Sequence, residues 1–154
     1  MRKEKNWSCK WLLLLVLLPF VCNSAIIQES KVEQLKKNAK QAIDYINTNG
    51  EDKAFKEFSD PKGKFSNKDS YVFVVTYKGV RLAHPWLKIG NNDIDLLDEY
   101  GTPFVQLFIE TAKAGGGTVG YYWKKPIDET IKFKISYVKP VAKKDYFVGV
   151  GFYE

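Results

Sequence analysis

The sequence predicts an α+β fold in which helices flank a single antiparallel sheet. Apolar residues recur at helical spacing over residues 30–47, and from Tyr71 onward the pattern changes to segments rich in β-branched and aromatic residues. These segments follow one another with few helices between them. That order is typical of an antiparallel sheet with helices packed against it.

The first 24 residues have the layout of a secretory signal peptide. A basic segment precedes an unbroken apolar run, Trp11–Val21, and small or polar residues follow it. The run is shorter than the roughly 18 apolar residues of a membrane-spanning helix, so we expect cleavage after Ser24. Two alternatives stay open: an uncleaved anchor and, with less support, a lipoprotein modified at Cys22.

Cleavage would leave one exported domain, residues 25–154, in the periplasm or the medium. Cys9 and Cys22 would both be lost, which excludes a disulfide framework, a thiolate metal site and a thiol nucleophile. The whole chain has a formal net charge of +6, of which the signal segment carries three. The remaining surplus is mild, so we expect no nucleic-acid partner, and a membrane contact only through the uncleaved signal peptide.

Two helices are expected at the start of the domain. Residues Ser30–Asn47 show an apolar stripe, with Ser30 and Glu33 as a predicted capping box and Gly50 as a stop. A shorter helix is predicted over Glu51–Phe58.

A β-hairpin is predicted next, from Tyr71–Tyr77 and Val80–His84 joined by a turn at Lys78-Gly79. The following segment, Leu87–Tyr100, has no sustained period. We expect a long ordered loop over the sheet, and loops of this length in compact domains are often binding loops.

The second half of the domain is predicted to hold one helix and three strands. Thr102 is expected to cap the helix, with Pro103 in its first position, and Gly115–Gly117 to end it. The predicted strands are Thr118–Lys124, Ile131–Lys139 and Tyr146–Tyr153.

Polar and aromatic residues within two of these strands indicate a binding site. Strand alternation places Tyr121 and Trp123 on one face, and it places Lys134 opposite Phe133 and Ile135. If the two apolar residues pack beneath the long helix, Lys134 points to the other face, where burial requires a carboxylate or a bound anion. A solvated lysine on an exposed sheet face is at least as well supported.

The single histidine and the acidic loop give no metal site. A lone His84 is more often a hydrogen-bonded structural residue than a ligand contact, and no second histidine accompanies it. Asp93, Asp95, Asp98 and Glu99 lack the spacing of a calcium loop, so a solvated acidic loop is the better interpretation.

The sequence favours a non-enzymatic protein without a cofactor. The glycine run Gly115–Gly117 follows a helix and precedes no lysine-serine or lysine-threonine pair, so it is not a phosphate loop. No nucleophile-elbow motif surrounds the serines, and any catalytic triad would depend on His84.

Several phrases, in one order, resemble the single Cache domain family, type two, over roughly Val32–Tyr153. They are Tyr71-Val72-Phe73-Val74, Lys78-Gly79-Val80, Leu82-Ala83-His84-Pro85, Asp98 to Phe104, Gly120 to Pro126, Lys134 to Val141, and Gly149-Val150-Gly151-Phe152-Tyr153.

This resemblance implies a PAS-like fold, with a long N-terminal helix behind a five- or six-stranded sheet and a ligand between the sheet and its loops. It also implies an extracytoplasmic sensor of short carboxylates such as acetate, propionate, lactate or pyruvate, with Lys134 as the charge partner. Strict alternation places Tyr137 opposite that lysine. The pocket residues it implies are His84, Trp86, Tyr121, Trp123, Lys134 and Tyr137.

Family sensors usually continue into a second membrane helix and a cytoplasmic output domain, which the sequence here does not include. We therefore expect a binding module that hands its liganded state to a membrane-bound receptor or kinase, or one that sequesters or delivers a ligand. A Cache-fold module that binds a protein through its aromatic loop is the alternative, and a degenerate domain without a ligand is also open.

Overall fold

The computed structural model describes residues 18–67, 69–126 and 128–154, with side chains from Ile26 onward. The chain divides into two compact units, Met1–Lys31 and Val32–Glu154, and the second holds the sheet. Within the described ranges, no helix has the length and apolar character needed to cross a membrane. The basic segment and most of the apolar run of the predicted signal peptide lie outside the described residues.

The element order is that of an α+β domain. The elements are α1 (Leu18–Asn49), α2 (Glu51–Phe58), β1 (Ser70–Thr76), β2 (Arg81–Ala83), α3 (Phe104–Lys113), β3 (Gly117–Lys124), β4 (Ile131–Pro140) and β5 (Tyr146–Tyr153). Helix α2 and strand β5 have the predicted bounds, and the other predicted strands differ by one or two residues at their ends.

Helix α1 begins well before the predicted position. It already includes Leu18, the first residue that the structure describes, so Ser30 lies inside it and cannot cap it. The Ser30 hydroxyl instead donates a hydrogen bond to the carbonyl of Ile27 one turn earlier. The predicted capping box is therefore wrong, because a serine inside a helix can bond to a preceding carbonyl instead of a free N–H.

The start of α3 also differs from the prediction. Pro103 is the N-cap and no side chain caps this helix, so Thr102 is not its capping residue. The carbonyl of Thr102 accepts a hydrogen bond from the N–H of Phe104, and its own N–H donates to the Asp98 carboxylate. Thr102 thus joins the end of the loop to the helix.

The five strands form one antiparallel sheet in the order β2-β1-β5-β4-β3. The predicted turn between β1 and β2 is present: the N–H of Gly79 donates to the carbonyl of Thr76, and Gly79 has a φ of 83°. A side chain is disfavoured in that left-handed conformation, which explains a glycine there. The hairpin and the antiparallel sheet are confirmed.

Each face of the sheet carries its own core. The helix-side core packs α1 and α2 residues such as Leu35, Ala42 and Phe58 against Val148 and Val150 of β5. The residues that alternate with these point the other way. They form the loop-side core with α3, which includes Tyr71, Phe73, Phe104, Phe108, Val119, Tyr121, Phe147 and Tyr153.

Candidate functional site

Two adjoining volumes lie on the loop side of the sheet. The inner chamber has a volume of about 40 Å³, and the outer groove has a volume of about 590 Å³. The predicted long loop, which is irregular in the structure, contributes to both. Four residues line both volumes: Tyr71, His84, Leu87 and Trp123.

Lys134 lies beside the inner chamber, at the centre of a row of aromatic residues. It pairs in register with Tyr121 on β3 and with Tyr153 on β5, so all three side chains share one face. The Lys134 side chain has a relative exposure of 0 %. The interpretation of Lys134 as a solvated surface lysine is therefore wrong, and its predicted orientation is confirmed.

A glycine lets the lysine reach across the sheet. Gly151 lies between Ser136 and Tyr71 in the next row, and a Cβ there would come within 2.4 Å of Lys134 Cε. Because that position is empty, Lys134 extends diagonally over it and places its Nζ 3.6 Å from the centroid of the Tyr71 ring. The ring face offers a cation–π contact but no lone pair that could accept a hydrogen bond from the ammonium.

Lys134 Nζ is buried without a hydrogen-bond partner among the residues that the structure describes. Burial holds the pKa of this amine well below its usual range. The rings of Tyr71 and Tyr153 lie within 5.0 Å of Nζ, and no carboxylate in the described part of the chain neutralises it. An anion in the chamber would supply the missing partner.

The tyrosines of the loop-side core keep their hydroxyl protons, so each hydroxyl can donate a hydrogen bond. Burial raises the pKa of Tyr153 to about 12 and raises those of Tyr71 and Tyr121 as well. The Tyr153 hydroxyl donates to the Lys124 carbonyl at 3.0 Å, and the hydroxyls of Tyr121 and Ser136 lie 3.1 Å apart.

His84 serves both the loop and the chamber. Its Nδ1 accepts hydrogen bonds from the backbone N–H groups of Trp86 and Leu87, each at 3.1 Å. Burial, together with the nearby Lys134 and Arg81 cations, holds the pKa of the imidazole well below its usual range. The ring is therefore neutral with its proton on Nε2, which makes Nε2 a donor.

The acidic loop is built into the structure. Asp93 pairs with Arg81 beside the inner chamber, where the Arg81 side chain is buried and the Asp93 side chain is 13% exposed. Asp98 accepts hydrogen bonds from the N–H groups of Tyr100, Thr102 and Tyr122. The interpretation of a solvated acidic loop is therefore wrong for Asp93 and Asp98, because partners elsewhere in the fold bury them.

Most of the predicted site residues lie together. His84 and Trp123 line both volumes, Trp86 lines the outer groove and Tyr121 lines the inner chamber. Lys134 contacts residues of the chamber wall. Tyr137 does not join them: its side chain belongs to the helix-side core, on the opposite face of β4, as strand alternation requires. For metals, the described residues contain no group of three candidate ligands.

Sequence reasoning missed four residues of the site: Tyr71, Tyr153, Arg81 and Asp93. The period-two alternation within β1 and β5 would have placed each tyrosine on a definite face of its strand. Only the register shows that these faces adjoin Lys134. No local pattern links Arg81 to Asp93, because the loop that joins them has no period.

A second open groove, about 610 Å³ in volume, lies on the helix side of the sheet. Its lining includes Asn38, Gln41, Asn67 and Lys64, and the Lys64 ammonium stacks on the Tyr45 ring. Lys134, whose buried Nζ has no hydrogen-bond partner among the described residues, lies over the Tyr71, Phe73 and Tyr121 rings, which line the inner chamber and not this groove. The loop-side volumes are therefore the better candidate site.

The fold and this site define a class: small-molecule-binding domains in which an antiparallel sheet and its overlying loop enclose a chamber. The sequence profile of the Single Cache domain 2 family matches residues 24–154, so the chain belongs to the Cache family of sensory, ligand-binding domains. The predicted resemblance and the predicted fold are confirmed.

One relative is the sensor histidine kinase MctS of Rhizobium johnstonii, which is 41% identical over 88 residues. That alignment covers 56% of this chain and 19% of the kinase, so the chain matches about a fifth of the length of that relative.

Two solved structures show the same fold. A methyl-accepting chemotaxis protein of Vibrio parahaemolyticus has a TM-score of 0.77 and 22% identity, with 86% of this chain and 95% of that chain covered. A Cache chemosensory domain, solved for the structural basis of its carboxylic acid recognition, has a TM-score of 0.65 and 18% identity. That match covers 89% of this chain and 97% of the other.

Proposed function

We propose that this protein is an exported sensor-type domain that binds a short organic acid such as acetate, propionate, lactate or pyruvate. One observation carries the proposal: Lys134 Nζ is fully buried beside the inner chamber without a hydrogen-bond partner among the described residues. A ligand carboxylate would provide both the charge and the acceptors that this amine lacks.

The charges around the chamber support an anion over a cation. Arg81 is already neutralised by Asp93, which leaves Lys134 as the cation in need of a partner. His84 Nε2 is a further donor in the chamber wall. Binding requires the ammonium to move off the Tyr71 ring, which rotation within the flexible lysine side chain permits.

The chamber volume limits the ligand to a few atoms. A cavity needs roughly 10–15 Å³ to hold a single water, and an engineered cavity of about 150 Å³ holds benzene. At about 40 Å³ the inner chamber lies between these limits. This size supports a short acid, and the carboxylic acid recognition of the structural relative supports the same class of ligand.

The partner that receives the signal is proposed from relatives alone. One relative is a sensor histidine kinase and one structural relative is a methyl-accepting chemotaxis protein, which supports a receptor or kinase as the partner of the liganded domain. We propose a role in binding and not in catalysis, since the family is one of sensory modules.

Replacing Lys134 tests the proposed function. Acetate, propionate, lactate and pyruvate are screened by thermal shift, and the affinity of each acid that raises the melting temperature is measured by calorimetry. A ligand at a hundred times its Kd adds roughly 2.7 kcal/mol of stability. Lys134→Met keeps most of the aliphatic volume but removes a charge-assisted hydrogen bond, so we expect binding to weaken about ten- to a hundred-fold.

Lys132→Met is the matched control, because Lys132 lies on the same strand and face as Lys134 but is exposed. It should bind the acid as the unmodified protein does. Equal affinity in the Lys134 and Lys132 variants would remove Lys134 from the site.

A protein-interaction module is the second candidate, and the exposed residues of the groove rim favour it. Tyr100 has a relative exposure of 72 %, and its ring contacts the half-exposed ring of Tyr122 at 4.5 Å between centroids. Leu97 and Ile131 are exposed nearby. If none of the four acids stabilises the protein, and Tyr100→Ser abolishes binding of a purified receptor or kinase, this candidate replaces the first.

A further inference from the structure

The inner chamber and the outer groove adjoin, and the residues that line both form the wall between them. Tyr71, His84, Leu87 and Trp123 line both volumes, so each has one side toward the chamber and another toward the groove. A ligand that reaches the chamber from the groove must pass this wall, and a ligand longer than the chamber must extend through it.

Two of the four wall residues are fixed. Tyr71 is buried beneath Lys134 and contacts the rings of His84 and Trp86 at 4.9 Å and 4.8 Å. His84 is buried, and two backbone N–H groups hold its Nδ1. Neither ring can leave the wall without breaking buried contacts.

The other two wall residues are less deeply buried. Leu87 and Trp123 are both half-buried, and Leu87 lies in the long loop. Trp123 contacts the rings of Phe104 and Tyr121, at 5.1 Å and 6.3 Å between centroids, near the open end of β3. Their side chains therefore form the part of the wall whose size decides whether the two volumes stay separate.

We propose that Leu87 and Trp123 determine which ligands bind, by limiting the carbon chain of the acid to the length that the inner chamber holds. The inference rests on the proposed function, because it takes the carboxylate to lie beside Lys134. Shortening either side chain joins the chamber of about 40 Å³ to the groove of about 590 Å³. A longer alkyl chain can then extend between Leu97 and Ile131, which line the groove alone.

The test uses straight-chain monocarboxylates from acetate to octanoate as probes, with thermal shift and calorimetry as readouts. The proteins are the unmodified chain, Leu87→Ala, Trp123→Leu and the control Leu97→Ala, whose leucine lines the groove but not the chamber. We expect the unmodified chain and the control to bind only the shortest acids. The wall variants should gain at least about tenfold in affinity for hexanoate, because each buried methylene favours binding by roughly fourfold.

The outcomes separate this inference from the proposed function. If the unmodified protein binds short acids and the wall variants keep its chain-length preference, the inference is overturned and the function stands. Tight binding of octanoate by the unmodified protein also overturns the inference. If no folded variant binds any acid, both fail. Should Trp123→Leu not fold, Leu87→Ala decides, because it shortens a half-buried side chain in a loop.

Discussion

A buried ammonium destabilises a fold unless another group compensates for the water that it has lost. The Lys134 ammonium lies over the rings of Tyr71 and Tyr153, and burial lowers the pKa of its amine. Removing the charge should therefore stabilise the unliganded protein, while it weakens the proposed binding of an anion. That opposite response distinguishes a binding residue from a structural one.

The pH dependence of stability provides a test at the same residue. Because the pKa of Lys134 is lowered on folding, the unfolded chain binds more protons between the folded pKa and the ordinary value of about 10.4. The cost of burying Lys134 is thus largest at low pH and falls as pH rises through that window, by up to about 1.4 kcal/mol per pH unit.

We expect Lys134→Met to be more stable than the unmodified protein at pH 7, and the difference in unfolding free energy to shrink toward pH 10. Urea unfolding across this range measures it. Both proteins contain the same titratable neighbours of position 134, so the titration of these groups largely cancels in the difference in unfolding free energy. They are Tyr71, Tyr121, Tyr153 and His84. A gap that stays constant with pH, or a less stable variant, would contradict the prediction.

At the scale of elements, Asp98 fastens the long loop to the edge of the sheet. Its carboxylate accepts the N–H groups of Tyr100 and Thr102 in the loop and that of Tyr122 on β3, the outermost strand. Burial alone would raise the pKa of Asp98, but these three donors outweigh it and hold the pKa below its usual range. Asp98 therefore positions the loop that lines the outer groove, and it also occupies a backbone N–H at the exposed edge of β3.

Asp98→Ala should lower the unfolding free energy by roughly 2–3 kcal/mol, because it removes the charged acceptor of three part-buried backbone N–H groups. Amide exchange at Tyr100, Thr102 and Tyr122, followed by NMR or mass spectrometry, should accelerate. The exposed Asp95 in the same loop serves as the control, and Asp95→Ala should change neither quantity.

The same prediction has a pH limit. Because folding lowers the pKa of Asp98, its stabilising effect is present above the unfolded value of about 3.9 and is lost as pH falls through the folded value. The stability difference between the unmodified protein and Asp98→Ala should therefore narrow below about pH 4. Equal stabilities at pH 7 would show that the loop does not depend on this carboxylate.

At the scale of the whole molecule, the two faces of the sheet have different roles. On the helix side, α1 and α2 pack over an aliphatic and aromatic core, whereas the loop side combines α3 with the inner chamber and the outer groove. Strand β5 is buried along its full length and links both faces. A ligand on the loop side should therefore raise the cooperative stability of the entire domain.

Export is the prediction that belongs to the whole chain. If the signal peptide is cleaved, protein recovered from the periplasm or the medium should have an intact mass that corresponds to a chain beginning near Ala25. The alternative is that the segment stays attached as an uncleaved anchor. Full-length mass in a membrane fraction would support the anchor, and full-length mass in the cytoplasm would contradict export.

The sequence by itself determined the α+β class, the type of most helices and strands, and the face of β4 on which Lys134 lies. These features depend on periods of 3.6 and 2 residues and on turn residues such as Gly79, which are local properties of the chain. The order of the Cache motifs also indicated the family, and the matching profile confirmed it. Local rules failed at two predicted helix caps. Ser30 lies inside α1 and its hydroxyl bonds to a carbonyl of the same helix, and Thr102 bonds to Asp98 instead of capping α3.

Only the tertiary structure decided what surrounds each residue. The register between β4 and β5 places Tyr153 beside Lys134, and Gly151 leaves the gap through which the lysine reaches Tyr71. Burial of Arg81 with Asp93 likewise depends on the path of a loop without a period. Burial and pairing are set by residues far apart in the chain, so the charge that needs a ligand became apparent only when the strands were aligned.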